Sequence, residues 1–291
     1  MPKHSLVLTI LLSLVLCVAF ADSEGRPATE IEKAFYSRVI DACKGAVAGV
    51  KIAWEQTDIS GEDQSDYDNV AVGCENSALS HHFYVEWSDQ KRIENSGTEI
   101  SEALAAKIPE AQDIAQNADM KRLEELGEEV AAAADAGNFA EVERLTKEAE
   151  IIAARGTAAF SETDKKMGEI IEKMAPRDAR AVIRIGVNQF YQDCDLKPVT
   201  GKLDDGTEFY RVENGRLDNE TWVEGTSYVA LGKGWKMNNN ESIYSLERAA
   251  ENGRPHTSIQ SLIVAVEAEQ KRALEILNSM NLGILKALIE N

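Results

Sequence analysis

A chain of 291 residues with 50 acids against 31 lysines and arginines carries a formal charge of −19. Such a chain repels nucleic-acid phosphates and anionic membrane surfaces, which sets both aside as partners. A hydrophobic fraction of 44% excludes wholesale disorder, and the length supports one large domain or two modest ones.

Lys3 and His4 precede an apolar run from Leu6 to Leu16, relieved by Thr9 and Ser13 and followed by Ala19-Phe20-Ala21. A short basic start, an apolar centre and a small-x-small exit predict a secretory signal peptide over 1–21, cut after Ala21. The run is short for a membrane span, and no second run of similar length follows. Leu16 stands where a lipid-anchored Cys17 would need a small residue. The expected product is secreted (periplasmic or extracellular) and soluble, with no stable membrane insertion. Loss of Lys3 and no acid takes its charge from −19 to −20.

Cys43, Cys74 and Cys194 remain after cleavage, enough for one disulfide and an odd thiol. Cys43 with Cys74 is the first choice, closing a loop of about 30 residues worth roughly 3 kcal/mol in chain entropy. Cys194 can instead take either partner. The odd thiol reads as a buried small hydrophobe rather than a nucleophile.

Residues 28–54 read as a helix, with Ile31, Phe35, Val39, Cys43, Ala46, Val50 and Trp54 at steps of three or four. Gly45 and Gly49 mark either a close backbone approach or a weak second half. The acidic stretch 57–69 reads as a surface loop. Residues 78–87 alternate in period two and read as a strand, with 70–74 as its hairpin partner.

Between 98 and 174 the composition shifts to Ala, Glu and Lys, with 18 acids against nine bases and no Cys, Trp, Tyr or His. That is the composition of long exposed helices. Pro109 is expected to kink or divide the first. Gly137 and Asn138 end one helix and cap the next, with Glu141 completing a capping box. Gly156 ends that one, Ser161 and Asp164 start another, and Met174-Ala175-Pro176 closes the set.

Residues 180–237 read as a small antiparallel sheet meandering through turns at Asp204-Asp205-Gly206 and Asn214-Gly215. Asn238 to Asn240 reads as a loop. Ile259, Ile263, Val266, Ala273, Leu277, Met280 and Ile284 then predict one amphipathic helix over 258–289. The fold class is therefore α+β, predominantly helical. It comprises a small antiparallel sheet packed with N- and C-terminal helices, plus an Ala/Glu-rich helical hairpin or bundle. Segments 22–97 and 176–291 form one body, and 98–175 is the helical insertion.

Candidate chemistry is sparse. His82 and Glu86 share a strand face and could join Asp66 or Asp68 in a metal site, although a packed aromatic strand beside a solvated loop accounts for them as well. Tyr210, Trp222 and Trp235 could line a ligand pocket through their ring faces, or be core. Asn219-Glu220-Thr221 and Asn240-Glu241-Ser242 match the N-glycosylation pattern. No nucleophile elbow, P-loop, zinc-protease or dinucleotide motif occurs, so no cofactor is expected.

The leading expectation is a secreted, non-enzymatic binding or interaction protein. It would engage a protein partner or a second copy through its amphipathic helices. One alternative is a glycosidase-like hydrolase using paired carboxylates beside Trp222 or Trp235, one of them with a raised pKa. The other is a cation-binding exported protein centred on His82 and Glu86.

Overall fold

A computed structural model describes residues 25–71, 77–107, 109–218, 221–240 and 243–289. In chain order the elements begin with β1 (Gly25–Pro27), α1 (Glu30–Val47), β2 (Glu55–Ser60), β3 (Asn69–Ala71) and β4 (His81–Ser88). Three helices follow, α2 (Gln90–Lys107), α3 (Pro109–Asp135) and α4 (Phe139–Met174). The chain then runs through β5 (Arg180–Val187), β6 (Tyr191–Asp193), β7 (Val199–Lys202), β8 (Glu208–Val212), β9 (Arg216–Asp218) and β10 (Thr221–Val223). It finishes with β11 (Thr226–Leu231), β12 (Lys236–Asn240), β13 (Ile243–Glu247), β14 (Leu262–Glu267), α5 (Gln270–Ser279) and α6 (Leu282–Leu288).

The residues divide into two compact units. One takes the segments through Ser88, Arg180–Arg216 and Val223 onward; the other takes Asp89–Ala179 with Leu217–Trp222.

The first unit is built on a seven-stranded antiparallel sheet ordered β2-β4-β5-β14-β11-β8-β7. Strand alternation gives the sheet two unlike faces. One carries Phe83 and Val85 of β4, Ile183 and Ile185 of β5, Val264 and Val266 of β14, and Val229 of β11, all buried. This face packs with α1, α5 and α6, which contribute Phe35, Val39, Cys43, Ala46, Ile276, Leu277 and Leu285 to the same core. Thr29 and Glu32 cap α1 with a reciprocal box. Gly49, just past α1, is required by a close approach: a Cβ there would lie 2.7 Å from the Ser279 carbonyl oxygen. Asn281 N–H donates to the Ala46 carbonyl at 2.9 Å, so this junction is backbone against backbone.

In the second unit, α3 and α4 form a hairpin around Leu126, Leu145 and Ile152. Gly137 turns the corner at φ +68°, and the Asn138 side chain accepts the Glu141 N–H. Arg122 reaches across to Glu148 at 2.7 Å. Among the described residues no helix is long and apolar enough to cross a membrane.

Several sequence-based expectations are corrected. The fold is not predominantly helical: about 44% is helix and 28% strand, in a mixed α+β arrangement with 14 strands in four sheets among the described residues. The sheet is large rather than small, and it is no meander, because β14 sits between β5 and β11. The expected helix 258–289 is a central strand followed by two short helices. Leu262–Glu267 is buried on both faces, and a run apolar on both sides carries no period to separate strand from helix. Part of the stretch 57–69 is edge strand β2, which reads as polar because its residues are mostly exposed. Of the expected hairpin partner 70–74, the described residues 70 and 71 belong to β3, which pairs with β1, and residues 72–74 lie outside the described residues. Residues 238–240 belong to β12. Gly156 does not stop α4, which runs 36 residues through it. One glycine costs about 1 kcal/mol, too little to end a helix held by a packed stripe.

Candidate functional site

The second face of the seven-stranded sheet holds polar and charged groups in aligned rows. Across β4, β5, β14, β11 and β8 one row reads Tyr84, Arg184, Ala265, Tyr228, Tyr210. A neighbouring row reads Glu86, Val182, Glu267, Thr226, Val212. The β8–β14 half is closed by the three-stranded sheet β12-β13-β6. There Cys194, Leu246, Tyr228 and Ile263 form a second core, packed with Tyr210, Trp235, Met237 and Tyr244. The β4–β5 half opens into a cavity of about 540 Å³ lined by Asp58, Ser60, His82, Tyr84, Arg184 and Gln192, among others.

Around this cavity the charges are held in pairs. Arg180 donates to Glu86 at 2.7 Å, and Tyr84 donates its hydroxyl proton to the same carboxylate. Ser88 donates to Glu86 at 3.1 Å and Thr57 at 3.3 Å. Burial alone would raise Glu86, but the Arg180 and Tyr84 hydrogen bonds outweigh it and hold the carboxyl at about 2. Burial and the bonded carboxylate push the Tyr84 hydroxyl up to about 12. Arg184 pairs with Glu267 and lies 5.4 Å over the Tyr84 ring, and Arg216 reaches Glu267 at 2.9 Å. Gln189 Nε2 donates to Gln192 at 3.0 Å. A Cβ at Gly186 would meet the Gln189 amide, so a larger residue there would displace that side chain. Tyr84, Arg184 and the glutamine pair are held by these contacts, which reduces the entropy they would lose on binding a ligand.

The sequence-predicted residues scatter. His82 and Glu86 share the polar face with Tyr84 between them. Asp66 and Asp68 lie in and just after a 3-10 turn, Gln64–Tyr67, which packs on the helix side. Tyr67 of that turn stacks on Tyr36 of α1 at 4.0 Å. Glu86 is taken up by Arg180, and among the described residues no group of three or more His, Cys, Asp or Glu is placed to hold a metal. Tyr210 and Trp235 pack against the second core, with Trp235 Nε1 donating to the Leu231 carbonyl at 3.0 Å. Trp222 belongs to the other unit, where Arg177 lies 4.9 Å over its ring.

Cys43 and Cys194 stand as separate buried thiols in different cores; Cys74 lies outside the described residues, as do Asn219 and Ser242 of the glycosylation patterns. Arg180, Arg184, Gln189 and Gln192 were missed by sequence reasoning. The first two stand at period-two positions of β5, facing the same way as its Val182, and that was the available signal.

Comparison with known protein families, curated proteins and solved structures finds no match.

Proposed function

We propose that this chain is an exported, non-enzymatic binding protein whose ligand lies on the open half of the polar sheet face. The observation that carries this reading is the asymmetry of that face: the β8–β14 half is closed by a second small sheet, while the β4–β5 half presents fixed polar groups around a cavity. That cavity, about 540 Å³, suits a small polar ligand. Tyr84, His82 and Arg184 would contact it, with the glutamine pair setting its orientation. Export is supported by the amino-terminal sequence alone.

A hydrolytic role finds little support here. Glu86 and Glu267 stand in one row two strands apart, about 10 Å by strand spacing, and each is engaged by arginine. A general acid needs a raised pKa, and Glu86 is held at about 2. A protein partner is a second reading, favoured by Met120, Phe139 and Ile151, which stay exposed on the α3–α4 hairpin (Phe139 at 77%).

Native mass spectrometry of protein taken from its natural exported fraction tests the proposal. A retained small molecule, lost in Arg184→Ala and in His82→Ala, is the expected result. Ligand-free protein, or retention unaffected by both changes, overturns it. Amino-terminal sequencing beginning at Asp22 supports export, and a chain beginning at Met1 counts against it.

A further inference from the structure

The tetrapeptide Glu-Asn-Gly-Arg occurs twice, at 213–216 and at 251–254. In Asn-Gly the glycine lacks a Cβ, so its backbone nitrogen can approach the preceding side chain and attack Cγ. Local sequence makes the two copies equally labile. The fold makes them unequal.

Ring closure needs a carboxamide free to rotate, an uncommitted glycine N–H and water to receive the leaving group. At the first copy Asn214 is partly buried, with Oδ1 shielded from solvent and Nδ2 donating to Asp195 Oδ2 at 3.5 Å. Its neighbours are anchored as well, Glu213 by Arg211 at 2.8 Å and Arg216 by Glu267 at 2.9 Å. At the second copy Asn252 and Gly253 are exposed in a turn, with Gly253 at φ +78° and open space where a Cβ would be. Glu251 N–H donates to Gln260 Oε1 at 2.7 Å and Arg254 Nε donates to Glu251 at 2.9 Å, which tethers the flanks and leaves the dipeptide out. Among the described residues no hydrogen bond engages the Asn252 carboxamide or the Gly253 N–H. Asp205-Gly206, which could close a similar ring, is committed. Asp205 accepts from Thr207 N–H at 2.8 Å and from Lys286 at 2.9 Å, and Gly206 N–H donates to the Leu203 carbonyl at 2.9 Å.

We propose that Asn252 deamidates spontaneously through a cyclic imide, while the fold protects its twin Asn214. The Gly253 nitrogen bonds to Asn252 Cγ, the Cγ–Nδ2 bond breaks, and the Gly253 amide proton leaves with that nitrogen as ammonia. Water then opens the imide at either carbonyl, leaving aspartate or isoaspartate. Each product adds a negative charge beside Glu251, and isoaspartate also lengthens the backbone of the loop between β13 and β14. The site lies outside the sheet-face cavity and does not depend on that reading.

Timed incubation of the intact protein in heavy-oxygen water at mildly alkaline pH, followed by peptide mapping, tests it. In native protein Asn252 should convert at least about tenfold faster than Asn214, with solvent oxygen incorporated and isoaspartate among the products. In protein unfolded by guanidinium, where the tetrapeptides are alike, the two rates should converge. Asn252→Gln should abolish conversion at that position and leave the Asn214 rate unchanged. Equal native rates, faster conversion at Asn214, conversion at Asn252 without isoaspartate, or a native Asn252 that stays intact while the unfolded chain converts each overturns the proposal.

Discussion

Glu86 and Arg180 face each other at 2.7 Å across β4 and β5, with side chains 12% and 5% exposed. Removing one member of such a pair strands the other in a medium that solvates charge poorly. Glu86→Gln should destabilise the protein by about 3 kcal/mol, read as a lower denaturant midpoint with an unchanged slope. Glu86→Leu combined with Arg180→Met removes both charges and should recover much of that loss. If Glu86→Gln is neutral, the pair does not hold β4 to β5.

His81 is 1% exposed on the helix-side face, 5.3 Å from the Tyr67 ring, and burial pushes its pKa down to about 4, with the neighbouring His82 adding to the effect. The unfolded value is near 6.5. Above pH 6.5 neither state binds the proton, so the stability contribution is fully present. Below it the unfolded chain takes up a proton that the native chain refuses, and stability falls by up to about 3 kcal/mol as pH drops from 6.5 to 4. Glu86, lowered from 4.5 to about 2, extends the loss as pH falls from 4.5 toward 2. Denaturant titrations from pH 8 to pH 3 check this. His81→Phe should flatten the curve between 6.5 and 4 only.

Gly49 admits no side chain because Ser279 backbone lies 2.7 Å from where its Cβ would be. Gly49→Ala should cost about 1–3 kcal/mol through overpacking. Gly127→Ala, in mid-helix with open space around it, should instead stabilise by about 0.5–1 kcal/mol. Melting curves of the two variants should shift in opposite directions.

Burial pushes the Cys43 thiol up to about 12 and Cys194 up to about 11. In reduced, native protein both should react with an aromatic disulfide reagent far more slowly than a free thiol, and become accessible on unfolding. Peptide mapping after a timed reaction measures this for each position. Rapid native labelling of Cys43 would contradict its place in the core.

The legible parts of this chain were those with one dry face and one wet face. β4 was readable because His81, Phe83, Val85 and Trp87 alternate with polar neighbours. The α3–α4 corner was readable because Gly137 and Asn138 perform local backbone chemistry that needs no tertiary partner. β14 was unreadable for the opposite reason: buried on both sides, Leu262 to Val266 has no period, and its sheet neighbours come from residues 182–187 and 226–231. The candidate site was hidden by the same distance. Glu86 was noticed as a metal ligand, but its true partner, Arg180, lies 94 positions away and carries no motif of its own.

Among the described residues, the strand latest in sequence occupies the middle. β2, β4 and β5 form one flank of the sheet and β11, β8 and β7 the other, and β14 is the ladder between them. A chain emerging from its amino terminus therefore holds two half-sheets with exposed edges until residues 262–267 arrive. Loss of residues 262–267 would leave both flanks unjoined, so the sheet closes only once that strand is in place.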